Sequence, residues 1–343
     1  MTDVTILGAG IFGLSIAWSC LKKGASVRII DPSGPGAGAS GGIVGALAPH
    51  TPDNWNDKKT FQLESLLMAK GLWAEIAEVS GISPGYARLG RLQPIEDDWS
   101  MSLARARIET AQTLWRGEAA WHVIEAGEAA LAPLTPTGLL IHDTLSARVH
   151  PRRACSALAA AIVAKGGQID LEGAHEGKVI HATGVAGLEE LNTDQNKAVG
   201  MGVKGQSALL NFSAPNMPQI FADTIHIIPH EDGTTAIGST SEREFADPNS
   251  TDVQLDEIIA RAKKAVPALL GAEVVERWAG LRPRTQKRTP MLGIHPIHDG
   301  QFIANGGFKI GFGVAPRVGQ VMADLVLDGS NAIPPGFRPE ASF

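Results

Sequence analysis

The chain has 343 residues, 44% hydrophobic and 19% charged, which is enough for about two domains around a large core. Its net charge of −6 argues against a nucleic-acid surface, and no apolar run reaches the length of about 18 residues that a membrane-spanning helix needs. The only cysteines, Cys20 and Cys155, lack C-x-x-C spacing, so they suggest neither a disulfide framework nor a thiolate metal site and suit a reducing cytoplasm.

A short β-branched strand is predicted at Val4-Thr5-Ile6-Leu7, followed by the turn Gly8-Ala9-Gly10-Ile11-Phe12-Gly13 and a helix from about Ile11 to Lys23. This apolar start lacks the basic lead of a signal peptide, and the glycine turn explains it better. A second strand, Val27–Ile30, ends at Asp31. Each part has a task in holding a dinucleotide: Gly8 permits the tight turn, Gly10 the approach of a pyrophosphate, and Gly13 close packing of helix on strand. The helix N-terminus offers free N–H groups to the phosphates, and Asp31 can accept from a ribose hydroxyl. The other reading is a glycine-rich turn with no ligand; the strand before it, the helix after it and the spaced acid favour a site.

Residues 32–42 form a loop of small side chains leading into Ile43-Val44-Gly45-Ala46-Leu47, against which a flat ligand can lie on backbone. An amphipathic helix is expected over 58–80, and short strands and helices without a catalytic pattern over 81–140. There Trp99, Trp115 and Trp121 read as packing or rim residues. A helix over 152–165 precedes a strand at 168–171. Val179–Ala182 is a strand closing in Thr183-Gly184, and Ala208–Phe212 and Ile225–Ile228 are further strands. Asp232-Gly233 signals a hairpin, and 255–265 is helical. The chain ends as it began: strand Phe302–Ala304, turn Asn305-Gly306-Gly307-Phe308-Lys309-Ile310-Gly311-Phe312-Gly313, then a helix to Leu327 stopped by Gly329.

These glycine-rich elements, with W-x-G-L-R-P at Trp278–Pro283 and G-x-x-x-G-x-x-x-A-P at Gly307–Pro316, resemble the FAD-dependent family of D-amino acid oxidase, glycine oxidase and monomeric sarcosine oxidase. The resemblance implies an α/β fold: a Rossmann-like FAD-binding domain of glutathione-reductase type, with an inserted α+β substrate domain built on a mixed sheet. The expected FAD-binding segments are 1–80, 146–204 and 278–343, and the substrate-binding segments 81–145 and 205–277. It places FAD, held without a covalent link, against Gly8, Gly10, Ile11, Phe12 and Gly13, with Asp31 and Pro32 at the ribose and Ala39 and Ser40 at phosphate or ribitol. Val44, Gly45 and Ala46 would line the isoalloxazine, with Thr183 and Gly184 beside the cofactor. Gly307, Phe308, Lys309, Ile310, Gly311, Phe312 and Gly313 would present backbone N–H groups to its pyrimidine edge. Arg282 matches the carboxylate-binding arginine, suited by its planar fork.

The sequence departs from the family at several positions. His226 stands where glycine and D-amino acid oxidases usually carry a substrate-contacting tyrosine, and the chain's one tyrosine is Tyr86. Lys309 matches the sarcosine-oxidase subgroup, so Arg282 and Lys309 together imply a doubly cationic site, with His226 as a candidate third group. A strong or double anion, such as an amino dicarboxylate or an aminophosphonate, is therefore the expected substrate. Ala236 replaces the oxygen-activating lysine, which leaves oxidase and dehydrogenase both open. The reaction implied is hydride transfer from the substrate Cα to flavin N5, then hydrolysis of the imine to an oxo acid, with no catalytic residue assigned beyond the flavin. Alternatives are a flavin dehydrogenase with a quinone or protein acceptor, a tRNA-modification oxidoreductase domain, and a non-catalytic FAD-binding subunit. The partners expected are a small anionic amine and O2 or another acceptor, with no nucleic acid and no membrane span; a homo-oligomer stays open. His295-x-x-His298 supplies two ligands in a loop, too few to assign a metal.

Overall fold

The computed structural model describes residues 2–127 and 131–342. In chain order its elements begin with β1 (Val4–Leu7), α1 (Ile11–Lys22), β2 (Val27–Ile30), β3 (Ala46–Leu47), α2 (Asp57–Ser80), β4 (Arg91–Pro94), α3 (Asp98–Leu114), β5 (Trp121–Glu125), β6 (Leu139–Asp143) and β7 (Ala147–Arg148). They continue with α4 (Pro151–Ala164), β8 (Gln168–Asp170), β9 (Lys178–His181), α5 (Gly184–Gln195), β10 (Gly200–Leu210), β11 (Gln219–Ala222), β12 (Ile225–Pro229) and β13 (Thr235–Gly238). The last are α6 (Val253–Ala265), β14 (Val274–Thr285), β15 (Met291–Ile294), β16 (Phe302–Asn305) and α7 (Gly311–Asp328).

The first sheet has the order β15-β16-β9-β1-β2-β8, parallel except for the edge strand β15. Parallel strands need covered faces. Helices α1, α7 and α2 pack together with the apolar side chains of β1 and β2 in one core. Helix α7 can approach α1 because Gly319 faces it: a Cβ there would lie 2.5 Å from the Ser15 carbonyl oxygen. The second sheet runs β14-β10-β13-β12-β11-β4-β6-β5, antiparallel except between β11 and β4, and α6 covers it. Burying each leucine or isoleucine of these cores is worth roughly 1.5–3 kcal/mol.

Local signals account for most boundaries. Asn56 caps α2 by accepting from the Lys59 N–H, and Gly81 ends it in the left-handed region. Gly329 ends α7 in the same way. The hairpin at Asp232-Gly233 joins β12 to β13, with Asp232 accepting from the Thr234 N–H. Helix α3 is closed by a capping box between Asp97 and Ser100, a signal not taken up in the sequence reading of 81–140. Trp115 and Trp121 are buried 6.1 Å apart, whereas Trp99 is 72% exposed.

Two strands exceed their sequence signal. β10 begins at Gly200, not Ala208, and stops before Phe212; β14 spans twelve residues around Trp278–Pro283 where no strand was expected. Both are interrupted by glycine or proline, which weakens any strand pattern. The glycines make room: a Cβ at Gly202 would press on Leu281 and Val185, and one at Gly280 on Trp278. The boundaries 204/205 and 277/278 drawn from the sequence fall inside β10 and β14, which lie wholly in the second sheet.

Candidate active site

A cavity of about 900 Å³ is lined by both larger sheets. One end is the turn after β1. Gly8 has φ +106, and a Cβ on it would stand 2.4 Å from the Ala182 carbonyl oxygen at the end of β9. A Cβ at Gly13 would stand 1.9 Å from the Gly8 carbonyl oxygen, so the first turn of α1 rests directly on the loop. Asp31 shapes this turn: its Oδ2 accepts from the Ala9 N–H at 2.8 Å and its Oδ1 from the Ser33 N–H at 2.9 Å. A carboxylate has capacity for further donors, so a hydroxyl can still bind there. Ser40 Oγ accepts from the Ile11 N–H at 2.9 Å, which places its hydroxyl over the start of α1.

The middle of the wall is nearly bare backbone. Gly45 is pressed on β7's exit, where a Cβ would lie 1.7 Å from the Val149 carbonyl oxygen. Thr183, on the same wall, carries a buried Oγ1 without a protein partner among the described residues. The far end is the turn Gly307–Gly313, where α7 begins. Neither N-cap residue supplies a side-chain cap; Ser40 takes the first N–H of α1, and the other N–H groups at the two helix ends, with their positive dipole, are left for the cavity.

Opposite α7 lie the polar side chains. Arg282, on β14, donates from Nη1 to Ser239 Oγ at 2.7 Å and from Nη2 to the carbonyls of Thr240 at 2.6 Å and Lys204 at 3.3 Å. Its Nε is buried without a partner among the described residues. Burial lowers its pKa to about 10, with Glu242 acting the other way, so it stays charged at neutral pH. Its Cζ lies 5.6 Å from the Phe308 ring centroid, and Lys309 Nζ lies 5.7 Å from it. The Lys309 pKa is lowered by desolvation and then by the Arg282 charge.

His226, on β12, lines the same cavity and packs on Phe221 at 4.8 Å. Burial, with Arg91 and Lys309 nearby, pushes its pKa down to about 3. It is therefore a neutral ring at physiological pH and adds no charge to Arg282 and Lys309. The extra cation is Arg91 on β4, whose Nε is 3.0 Å from the carboxylate of buried Asp143.

Residues 3–325 match the family described as FAD dependent oxidoreductase. The chain belongs to that family. It is 26% identical to a glycine oxidase of Bacillus licheniformis over 95% of this chain and 93% of the relative. It is 28% identical to a glycine oxidase of Pseudomonas putida over 98% of each. The crystal structure of glycine oxidase from Geobacillus kaustophilus superposes with a TM-score of 0.84, covering 98% of this chain and 97% of that one at 23% identity. The chain is thus an FAD-dependent oxidoreductase, an enzyme with an α/β fold and mixed sheets. The cavity suits FAD: an extended glycine-lined trough with a helix N-terminus at each extreme and an unpartnered threonine hydroxyl between them.

Within this family frame, every site residue expected from the sequence lies on the cavity wall except Gly13, which is buried where α1 rests on the Gly8 carbonyl, and Pro32, which is exposed. Pro32 lies inside the turn that Asp31 closes by accepting from the Ser33 N–H. Ala236, where an oxygen-activating lysine was expected to be missing, packs with Ile43, Leu209 and Ile228 behind Val44. The sequence reading missed Arg91, Phe221 and Gln62, all on the wall. Gln62 accepts from the His50 N–H and donates to the Ala48 carbonyl, fixing the segment after β3. A strand arginine reveals itself as a site residue only through its partner, and Asp143 is supplied by β6. His295 and His298 also gain a third histidine, His181, at the end of β9, with their nitrogens within 4.8 Å of one another. Those rings are engaged by protein groups: His181 with Gln301, His298 with Glu190, and His295 Nδ1 with the N–H groups of Ile297 and His298. Among the described residues no helix is long and apolar enough to cross a membrane.

Proposed function

We propose that this enzyme oxidises the C–N bond of a small anionic amine, an amino acid or a close analogue. The observation that carries the reading is the convergence of Arg282 and Lys309 on Phe308, within the cavity whose other end is the Gly8–Gly13 turn. An acid group held by these two cations turns the carbon bearing the amine toward the trough, and Ser239 and Thr240 keep the guanidinium from swinging away. A bound FAD would supply the two-electron acceptor for oxidation of that C–N bond to an imine, which water would convert to an oxo acid and an amine, and would pass the electrons on to O2 or another acceptor. Neutral His226 offers a hydrogen bond without adding charge beside the two cations.

The FAD-holding part in this reading is formed by 1–80, 146–204 and 278–343, except that β10 and β14 go whole with 81–145 and 205–277 over the substrate. Gly8, Gly10, Gly13, Asp31 and Ser40 serve the adenosine and pyrophosphate half; Val44, Gly45, Ala46 and Gly307–Gly313 serve the ring. Two buried free cysteines support a cytoplasmic setting. The deciding experiment is anaerobic mixing of FAD-loaded protein with glycine, N-methyl glycine and D- and L-amino acids. Bleaching of the flavin band by an amino acid is expected; bleaching by no amine at all overturns the reading. Admitting O2 then separates an oxidase, which recovers its colour in seconds, from a dehydrogenase.

A further inference from the structure

Phe308 stands between two cavities. It holds a left-handed φ of +42, an uncommon conformation for a bulky side chain, in the turn before α7. Behind it is a second cavity of about 330 Å³, and Phe308 and Lys309 wall both spaces. Its other polar walls are Ser241, Arg243, Arg284 and Arg288. Arg284 follows Arg282 by two residues on β14 and lies 5.9 Å from the same ring. It is 8% exposed, and the desolvation and the charges of Arg288 and Arg243 both lower its pKa.

The charge in this space is uncompensated. No ion pair engages Arg243, Arg284, Arg288 or Lys309 among the described residues, and the one hydrogen-bond partner of the Arg284 side chain is Met201 Sδ at 4.0 Å. The nearby acid Glu242 is committed to Lys204, Thr240 and Gln206. Lys58 adds a further cation, donating to the Arg288 carbonyl. Four like charges around one hollow repel each other, and the arrangement becomes favourable when an anion enters. Three guanidinium forks and an ammonium suit a tetrahedral dianion better than a single carboxylate.

We propose that the cavity behind Phe308 is a subsite for a phosphonate- or phosphate-type group carried by the substrate on a short arm from the carbon that bears the amine. This rests on the C–N oxidation reading and narrows its substrate class. Arg282 holds the acid next to the reacting carbon, Arg243, Arg284 and Arg288 hold the distal dianion, and Lys309 serves both. A free phosphate ion has the same chemistry, so the test must separate a tethered group from a free one.

Calorimetry of FAD-loaded protein with inorganic phosphate is the first arm. Binding is expected, weakened at least tenfold in Arg284→Met and in Arg243→Met. Arg243 is exposed, so its variant keeps the test valid if Arg284→Met fails to fold. The second arm compares racemic alanine with racemic 2-amino-3-phosphonopropionate. The ratio of their kcat/KM values, phosphonate over alanine, should fall at least tenfold in both variants, and partly recover in Arg284→Lys. Inorganic phosphate should compete with the phosphonate in the wild type. No phosphate binding, or an equal loss for both amines, overturns the proposal. Phosphate that binds without competing with the phosphonate assigns the pocket to a free anion and overturns it too. If no amine reduces the flavin, the C–N reading fails on its own, while calorimetry still reports on the pocket.

Discussion

Gly205 on β10 faces the guanidinium of Arg282 on β14: a Cβ at 205 would stand 2.5 Å from Arg282 Cζ and Nη2. The absence of a side chain at 205 is what lets Arg282 lie flat toward Ser239 and Thr240. Gly205→Ala should therefore displace the guanidinium while leaving the strand intact. The loss of a charge-assisted hydrogen bond, about 1.5–3 kcal/mol, corresponds to a KM for amino acid substrates raised about tenfold or more. The melting temperature should move by only a few degrees. An unchanged KM would show that Arg282 does not hold the acid group.

How far the sequence reached depends on what kind of constraint each residue obeys. Gly8, Gly13 and Gly45 are visible because backbone atoms occupy the space of a side chain, and only glycine meets that demand. Arg282 is visible through its motif. Arg91 is not: its place depends on pairing with Asp143 across β4 and β6, a partner 52 residues away. β10 was half hidden for a related reason, since Gly202 and Gly205 accommodate Leu281 and Arg282 of the neighbouring strand at the expense of strand pattern. The pocket behind Phe308 combines Arg243, Arg284 and Arg288, which no local spacing links.

Gly13→Ala tests the cofactor end. Its Cβ would overlap the Gly8 carbonyl oxygen at 1.9 Å, so either α1 or the turn must shift, and the N–H groups at the start of α1 move with it. The purified variant should carry less than a tenth of the wild-type flavin per chain, read from the absorbance ratio after gel filtration. Full flavin content would remove the Gly8–Gly13 turn from the binding site.

The mode of cofactor attachment has an equally direct test. Both cysteines are buried, the thiol pKa of each is pushed up to about 12 by burial, and neither lines the cavity. A thiolate for a flavin link is thus not at hand. Acid precipitation should leave a yellow supernatant and a white pellet. A pellet that stays yellow after washing would demonstrate a covalent bond and contradict the non-covalent reading.

Histidines whose pKa is lowered in the fold help to set the acid limit of stability, and three are shifted far. Burial pushes the pKa of His226 to about 3 and, with neighbouring His150, that of His230 to about 4; His295 falls to about 3 through burial and the rings of His181 and His298. Each folded pKa lies below the unfolded value of about 6.5, so the unfolded chain takes up protons that the folded chain refuses. Above pH 6.5 the groups contribute no pH dependence. As the pH falls from 6.5 toward 4, each costs up to about 1.4 kcal/mol per pH unit. Urea midpoints of the FAD-loaded protein should be flat from pH 8 to 7 and drop steeply between pH 6.5 and 5. His230→Gln keeps a donor for the Ile43 carbonyl, which His230 Nε2 meets at 3.0 Å, but cannot titrate. In that variant the slope below pH 6.5 should be shallower, by the contribution of one titrating group. A wild-type midpoint that does not change between pH 7 and 5 would mean that these rings gain protons in the folded protein as readily as in the unfolded chain.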